Sequence, residues 1–496
     1  MTHKKQRVCR AAFLLLVFAF LLIWFSRVHP LTVYDGDDWY YVSYARRAVP
    51  IWRDWNPARV LPEVLMPFCT WLGVHLLMPL TGDYLYAMTL SAALMVSGFL
   101  TAYTACFGSM MRRLFSLSFW EETFSSVLFL LLHFLALRSQ PQANIYLFYC
   151  WDYTCYFYYV IPAALCCSLV MTMTANPAFE EFRRNGSPEK KGFFLLALYF
   201  GIFSNLPDSV ILAVYAGSRL LMDLLKRLKA FCLRDFLREN GLWLGILGAW
   251  LLSAVFELSG SRASADMGYD LPLLEGLHET LYGLKQLLLS CNRVFMVLTV
   301  AVAAAALVLW LRSREAEPAL QLAEKLIGFT AVLIATVVLC AVVDCSYIYR
   351  ADYLFGAFFY GFLLLMLCFG YLLKKCPGLM TVLPLLLCIL TAEINTAGQT
   401  FKESNVQNLN AKTCQAVSRD LTEQVIAACE AGEQSLVLGV PVSDSASNWP
   451  LFSPVGNRIA ASLYEHGITD RMISVTVQPD LGMNEKYHIP FPETTE

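Results

Sequence analysis

Charged residues are scarce in this chain. Asp, Glu, Lys and Arg make up 15% of its 496 residues, whereas a soluble globular protein holds about 25%. The net charge of −2 indicates neither a nucleic-acid partner nor a strongly basic lipid-binding surface. The 16 cysteines include no CxxC pair and no Cys/His cluster with zinc-site spacing, so no metal site is predicted from them. The sequence also lacks the internal repeat common in secondary transporters.

Apolar residues are abundant instead. They form 57% of the chain, its mean hydropathy is +0.52, and apolar runs of about 20 residues recur, each long enough to cross a bilayer as a helix. The sequence therefore predicts an all-α polytopic membrane protein. The first run extends to Phe25 without an A-x-A-like cleavage site, so we interpret it as a retained membrane helix rather than a signal peptide. Lys4, Lys5, Arg7 and Arg10 predict a cytoplasmic N-terminus.

The distribution of basic loops predicts about eleven spans and an exterior C-terminus at the plasma membrane. Residues 30–83 form a long first exterior loop, in which the proline-rich segment 61–80 is expected to lie as a helix in the outer interface. Residues 193–225, interrupted by "SNLPDS" at 204–209, are expected to form a broken helical hairpin whose tip approaches the outer face. The other spans after the first are 84–107, 123–138, 160–175, 241–258, 294–311, 327–345, 353–373 and 378–396.

Two domains follow from this organisation. Residues 1–396 form a transmembrane module, and residues 397–496, which have an ordinary soluble composition, form a small exterior α+β appendage. Within the appendage, apolar positions at helical spacing predict a helix over 410–432 that ends at a glycine. Two apolar runs predict strands at 435–442 and 471–479.

Polar and ionisable residues collect at the predicted outer membrane boundary. An ionisable residue near membrane depth is by default a candidate site residue, although side chains at helix ends also extend to the interface without any function. One outward-opening cavity would explain the whole set, because carboxylates suit a general base or a cation site and arginines suit a phosphate. The aromatic residues nearby form either an interfacial belt or platforms for sugar rings. The set comprises Asp35, Asp37, Asp38, Arg59, Glu63, Asp152, Asn205, Asp208, Glu257, Arg262, Asp344, Arg350 and Asp352.

The first exterior loop carries an acidic pair, Asp37-Asp38 in "DGDDWYYVSYARRAVP", and continues into the proline-rich "NPARVLPEVLMPF" at 56–68. An N-terminal helix, an acidic exterior motif, a proline-rich segment, many spans and an exterior C-terminal domain resemble the C-type glycosyltransferase (GT-C) superfamily, in particular bacterial members of the glucosyltransferase type. Residue identity supports the resemblance over about residues 33–68, and the order of elements supports it along most of the chain.

The resemblance implies an integral membrane enzyme that transfers a sugar from a polyprenyl-phosphate donor to a cell-envelope glycan, polymer or lipid acceptor on the exterior face, with inversion of the anomer. Asp37 matches the catalytic base. Asp38 matches either a neighbouring partner or, as in metal-using relatives, a ligand for Mg²⁺ or Mn²⁺; Asp35 is an extra acid that would also serve as the base. The substrate-binding candidates are Arg262, Arg350, Tyr353, Asn205, Asp208, Arg59, Glu63 and Asp152.

Several alternatives stay open at this point. Arg59 and Glu63 are four residues apart, which also fits a local ion pair, and Asn205 and Asp208 also fit helix caps. At the level of the whole protein, the alternatives are a transporter or flippase for a lipid-linked or anionic solute and a non-catalytic envelope-assembly protein. A transporter would place charges near the membrane midplane and show paired halves, whereas this chain collects its charges at one boundary.

Overall fold

The fold is given by a computed structural model that describes residues 3–33, 36–44, 57–137, 147–148, 152–174, 177–259, 272–313, 316–350, 352–376, 378–379, 411–442 and 455–490. Its membrane module is helical. The helices are α1 (His3–Ile23), α2 (Gly36–Trp39), α3 (Val60–Leu72), α4 (Met78–Thr81), α5 (Tyr84–Phe115), α6 (Phe119–Leu135), α7 (Tyr153–Cys155), α8 (Ile161–Thr174), α9 (Ala178–Asn185), α10 (Pro188–Ile202), α11 (Leu206–Arg227), α12 (Leu233–Glu239), α13 (Gly241–Ser259), α14 (Leu273–Leu289), α15 (Arg293–Ser313), α16 (Ala316–Val343) and α17 (Phe355–Lys375). Single π-helical turns cover Trp24–Val28, Tyr40–Tyr44, Gly73–Leu77 and Tyr156–Val160, and a 3-10 turn covers Cys345–Tyr349.

Eight helical segments among the described residues are long and apolar enough to cross a membrane, which makes the chain a multi-pass membrane protein. They are Lys4–Val28, Val60–Thr81, Tyr84–Phe115, Tyr153–Thr174, Gly241–Ser259, Arg293–Arg312, Leu320–Val343 and Phe355–Lys375.

This set differs from the predicted elements in four places. The predicted span 123–138 is helix α6, and the predicted hairpin 193–225 is the pair α10 and α11; neither belongs to the eight. The predicted span 378–396 lies outside the described residues apart from 378–379. The predicted interface helix 61–80 does belong to the eight, as part of Val60–Thr81. The total of eleven spans therefore stays a prediction.

Helix α3 begins beside the ends of its neighbours. The N–H of Val60 donates to the carbonyl of Phe203, where α10 has just ended, at 2.7 Å. Thr70 Oγ1 donates to the carbonyl of Val42, in the π-helical turn after α2, at 3.1 Å. The ends of these elements meet at one side of the helical layer, which we call the first-loop end. The position of 61–80 in the outer interface stays a prediction.

The opposite side of the layer, which we call the basic end, carries the positively charged helix termini. Glu122, in the first turn of α6, accepts from Arg10 Nε at 2.8 Å and from Arg112 Nη1 at 2.6 Å. Helix α11 ends with Lys226 and Arg227. Cations in the last turn complement the helix dipole, and by the positive-inside bias this end is expected to face the cytoplasm.

The C-terminal appendage is a small α+β unit, as predicted. Its elements are α18 (Ala411–Glu430), β1 (Ser435–Val440), α19 (Val455–Glu465), β2 (Ser474–Pro479) and α20 (Leu481–Tyr487). The two strands pair in parallel, with Ser435 opposite Ser474, so α19 is part of the crossover between them. The predicted glycine stop is Gly432, whose φ of 79° is accessible to glycine without a Cβ penalty.

The appendage docks on the membrane module through α18 and α19. Arg419 pairs with Asp83 at 2.6 Å, and Asp83 also caps α5 by accepting from the N–H of Tyr86. Tyr84 Oη lies 2.8 Å from His466 Nδ1, and both side chains are buried. The start of α5 is therefore shared between the two domains.

Helix α14 packs closely on α16 and on the 3-10 turn that follows it. A Cβ on Gly276 would lie 2.5 Å from the carbonyl oxygen of Ala341, and one on Gly283 would overlap the Ile348 side chain. Small residues allow this backbone approach between membrane helices. The close approach fixes the position of the turn Cys345–Tyr349 and so also the position of Arg350, which follows it.

Replacing Gly276 with alanine should therefore destabilise the protein. The added methyl group meets backbone rather than a flexible side chain, and overpacking of this kind costs about 1–3 kcal/mol. The midpoint of thermal unfolding in detergent measures the loss. Gly248→Ala is the matched control, because a Cβ there meets nothing within 4 Å; an equal loss in both variants would refute the packing argument.

Acidification should weaken the protein through His466. Burial, aided by the charge of His75, lowers the pKa of His466 to about 3, against about 6.5 for an exposed imidazole. Between these two pKa values the unfolded chain binds a proton at His466 and the folded chain does not. The stability that neutral His466 provides above about pH 6.5 is therefore lost as the pH falls towards 3. The slope is at most about 1.4 kcal/mol per pH unit.

Thermal unfolding at about pH 7 and pH 5 measures this loss. His466→Gln should flatten the pH dependence, whereas His278→Gln, at a histidine whose side chain is 79% exposed, should keep it. Equal pH dependence in wild type and His466→Gln would contradict the assignment.

Candidate functional site

The acidic first-loop motif is fixed to the start of α7. Asp38 is fully buried, and its Oδ1 accepts from the backbone N–H and the Oγ1 of Thr154 at 2.8 and 2.7 Å. Six residues before Asp38, Thr32 pairs with Asp152 in an isolated parallel bridge. Asp152 in turn accepts from the N–H of Cys155 at 3.3 Å and so caps α7. Charge-assisted hydrogen bonds to a buried carboxylate are among the stronger ones, so Asp38 acts as an anchor for the loop.

Asp37 has a different environment. Its side chain is 52% exposed, and one oxygen lies 3.8 Å from Arg458 Nη1. Arg458 is only 13% exposed; it donates to the carbonyl of Gly36 at 2.7 Å and lies over the ring of Tyr40 at 4.5 Å. Adjacent side chains on a helix point in different directions, which explains why one aspartate is an anchor and its neighbour is accessible.

Arg458 is a residue that the sequence reasoning missed. It lies on α19 of the appendage, and Ser462, one turn later on the same face, donates to the carbonyl of Trp39 at 3.2 Å. The i, i+4 spacing of two polar residues is visible in the sequence, but nothing in the sequence connects that face with a loop more than 400 residues earlier. The appendage thus covers one side of the acidic motif.

Arg350 is held in a polar and aromatic cluster at the same end. Its Nε and Nη2 donate to the two oxygens of Asp352 at 3.3 and 2.7 Å, and Nη2 also contacts Cys155 Sγ at 3.2 Å. The guanidinium lies 4.8 Å from the ring centre of Tyr159 and 5.7 Å from that of Tyr347. Burial by itself lowers the pKa of Arg350, but the electrostatic effects of Asp352, Cys155 and Tyr159 and the hydrogen bond to Asp352 together keep the pKa above its usual value. Nη1 makes no hydrogen bond within the described ranges.

Tyr353 extends this cluster as an aromatic wall. Its ring stacks on Tyr347 with centroids 5.1 Å apart, and it lies 6.2 Å from the ring of Tyr159. Tyr353 is buried, so its packing orders the turn that carries Arg350.

The tip of the α10–α11 hairpin contacts the same region. Asn205 Nδ2 donates to the carbonyl of Tyr158 at 2.9 Å and to Asp208 Oδ2 at 3.4 Å. Asn205 makes no side-chain cap of α11, so the capping alternative does not describe it. The other oxygen of Asp208, Oδ1, is buried without a hydrogen-bond partner among the described residues. A buried orphan acceptor of this kind is uncommon in folded proteins.

Arg59 forms its ion pair across the chain. The partner of its guanidinium is Glu257, at the end of α13, with an Nε–Oε1 distance of 3.1 Å. Tyr158 and Tyr159 also interact electrostatically with Arg59. The sequence alternative, a local pair with Glu63, is thus replaced by a contact between α3 and α13; Glu63 itself is buried in the first turn of α3.

The segment 152–160 brings these groups together. It contacts Asp38, Arg350 and Asn205 directly and lies beside Arg59, and it contains the π-helical turn Tyr156–Val160. Such turns are frequent at functional sites. Two predicted site residues, Asp35 and Arg262, lie outside the described residues.

A metal centre has no complete ligand set in the described part of the chain, where no group of three or more His, Cys, Asp or Glu side chains is placed to hold an ion. Asp35 lies outside that part, so the Mg²⁺ or Mn²⁺ prediction stays a prediction. The predicted outward cavity also stays a prediction, since residues 45–56 and 260–271 lie outside the described residues.

Comparison with family models, with curated proteins and with solved structures finds no match to this chain. The assignment of a role to the site therefore depends on its own chemistry.

Asp38→Ala should destabilise the protein, because the substitution leaves the N–H and hydroxyl of Thr154 without their buried acceptor. The expected loss in free energy of unfolding is about 2 kcal/mol or more. Asp37→Ala, one residue away but half-exposed, is the matched control and should unfold close to wild type. Thermal unfolding of both variants compares them, and equal midpoints would show that Asp38 is not an anchor.

Proposed function

We propose that the chain is an integral membrane glycosyltransferase that moves a sugar from a polyprenyl-phosphate donor to a cell-envelope acceptor on the exterior face. The observation that carries the proposal is the contrast within the acidic motif: Asp38 is buried and hydrogen-bonded and fixes the loop, and its neighbour Asp37 is half-exposed beside Arg458. An aspartate held in one position is what a general base requires.

In the proposed reaction Asp37 accepts the proton of the acceptor hydroxyl as that oxygen attacks the anomeric carbon. The bond between the anomeric carbon and the phosphate oxygen breaks, and its electron pair leaves with the polyprenyl phosphate. Attack opposite to the leaving group inverts the anomer, as in inverting sugar hydrolysis, where a carboxylate activates the nucleophile. Phosphate leaves without an acid catalyst.

Arg350 supports the leaving-group side of the proposal. Two of its guanidinium nitrogens donate to Asp352, and Nη1, which has no hydrogen-bond partner in the described part of the chain, would bind a phosphate oxygen. The surrounding Tyr159 and Tyr347 rings and the Asp352 carboxylate hold the group in one orientation. A pre-oriented guanidinium binds phosphate with less loss of side-chain freedom than a flexible lysine does.

The exterior location rests on the distribution of charge. Basic helix ends lie opposite the acidic motif, and the positive-inside bias assigns such an end to the cytoplasm. Asp37, Arg350 and the appendage would then face outward, where a lipid-linked sugar meets envelope acceptors.

The transporter alternative receives less support. It predicts charges near the midplane, and the buried ion pair of Glu324 and Lys325 is the nearest candidate. These residues lie at the fifth and sixth positions of the 24-residue segment Leu320–Val343, about 8 Å along the helix from its start. They belong to one boundary rather than to the midplane.

Asp37→Asn should abolish transfer without unfolding the protein. Membranes containing the chain would be supplied with a panel of radiolabelled polyprenyl-phosphate hexoses and pentoses, and release of the polyprenyl phosphate would be measured together with label in envelope material. Loss of a general base lowers the rate by about 10²–10⁴-fold. Asp235→Asn is the matched control, because that carboxylate is 48% exposed and lies 3.5 Å from Arg238 at the other end of the molecule. Full activity in both Asp37→Asn and Asp38→Asn would refute the assignment of the base.

A further inference from the structure

A polar cavity lies at the basic end, away from the acidic motif. Its volume is about 560 Å³, within the range of small-molecule sites. Helices α9, α11, α12, α13 and α16 surround it. Its lining comprises Glu180, Arg183, Arg184, Arg219, Met222, Asp223, Lys226, Arg227, Glu239, Asn240, Trp243, Leu320 and Glu324.

Most charges in this lining are paired. Arg183 bonds to Glu180 at 2.7 Å. Arg227 bonds to both Asp223 and Glu239, at 2.8 and 2.5 Å. Every carboxylate named here already has a cationic partner, so these side chains form a structured wall rather than a cation site.

The floor of the cavity carries an excess of positive charge. The Glu324 carboxylate is shared between Arg219, at 3.0 Å, and Lys325, at 2.7 Å. Lys325 is buried beneath the ring of Tyr215, 4.4 Å from its centre, and Arg219 lies 5.8 Å from the ring of Trp243. One carboxylate between two cations leaves one positive charge in this partly buried position, where an anion would be attracted more strongly than in water. In the wall, Arg227 between two carboxylates leaves one negative charge, so the net positive charge of the lining depends on its remaining cations.

Two further cations stand in the lining without an ion-pair partner among the described residues. Arg184 and Lys226 are exposed, and neither lies within ion-pair distance of a carboxylate there. Arg184 lies in the last turn of α9 and Lys226 in the last turn of α11, so they approach the cavity from two elements. Basic pockets between membrane helices on the cytoplasmic side are the usual sites of anionic headgroups.

We propose that this cavity binds a phosphate group with net negative charge, supplied either by an anionic membrane lipid or by a soluble phosphorylated compound. Arg184 and Lys226 contact the phosphate oxygens, and the Arg219–Glu324–Lys325 network supplies the fixed positive field beneath them. The inference is independent of the proposed transferase, because none of its residues lies at the first-loop end.

Titration of the purified full-length protein tests the proposal with two probes, short-chain phosphatidic acid and inorganic pyrophosphate. The double variant Arg184→Gln/Lys226→Gln should weaken binding by roughly tenfold or more, because each cation near an anionic group strengthens binding by a factor of about five. Both side chains are exposed, so the fold should persist, and an unchanged midpoint of thermal unfolding without ligand checks this.

Lys190→Gln/Lys229→Gln is the matched control. It removes two exposed cations from the same end, and neither belongs to the cavity lining. Binding of phosphatidic acid alone, lost only in the cavity variant, supports the proposal with a lipid as the source; binding of pyrophosphate with the same loss supports it with a soluble source. Absence of binding to either probe, or an equal loss in the control, overturns the proposal.

Discussion

The hydrogen bonds between Asp38 and Thr154 are the constraint on which the first-loop end depends. A carboxylate taken fully out of water is costly unless its oxygens are bonded, and here Oδ1 accepts twice from one residue. That arrangement fixes the start of α7 against α2, and the segment that follows carries the contacts to Arg350 and Asn205. If Asp38 moved, the groups collected around residues 152–160 would lose their common support.

The appendage adds a second constraint from the opposite end of the chain. Arg458 binds the carbonyl of Gly36 and lies beside Asp37, while Ser462 binds the carbonyl of Trp39. The loop is therefore bonded to the membrane module through Asp38 and to the appendage through α19. A four-residue helix such as α2 would have little stability alone, so its form follows from these contacts rather than from its own sequence.

The sequence predicted the parts of this architecture that depend on local patterns. Long apolar runs, the break at "SNLPDS" and the glycine stop at Gly432 all correspond to elements of the structure, because hydrophobic periodicity and backbone requirements act over a few residues. Long-range partners were not predictable in the same way. Arg59 pairs with Glu257 rather than with a neighbour on its own helix, and Arg458 reaches a motif more than 400 residues away. Long-range partners depend on which surfaces pack together in the folded chain, and local patterns in one sequence do not reveal them.

The two ends of the helical layer follow one rule about charge. Three buried carboxylates show it, each bonded on burial: Asp38 to Thr154, Glu122 to two arginines, and Glu324 to Arg219 and Lys325. The desolvation cost of an unpaired buried ion requires this.

Groups that can still form a hydrogen bond or an ion pair are accordingly found where water or a ligand can reach them. At the first-loop end one such group is Nη1 of Arg350, which makes no hydrogen bond among the described residues; Asp37, half-exposed, lies beside Arg458 there. At the basic end they are cations alone, which suits binding of an anion without chemistry. This difference in composition, rather than the number of charges at either end, is why the transferase is proposed at the first-loop end and anion binding at the basic end.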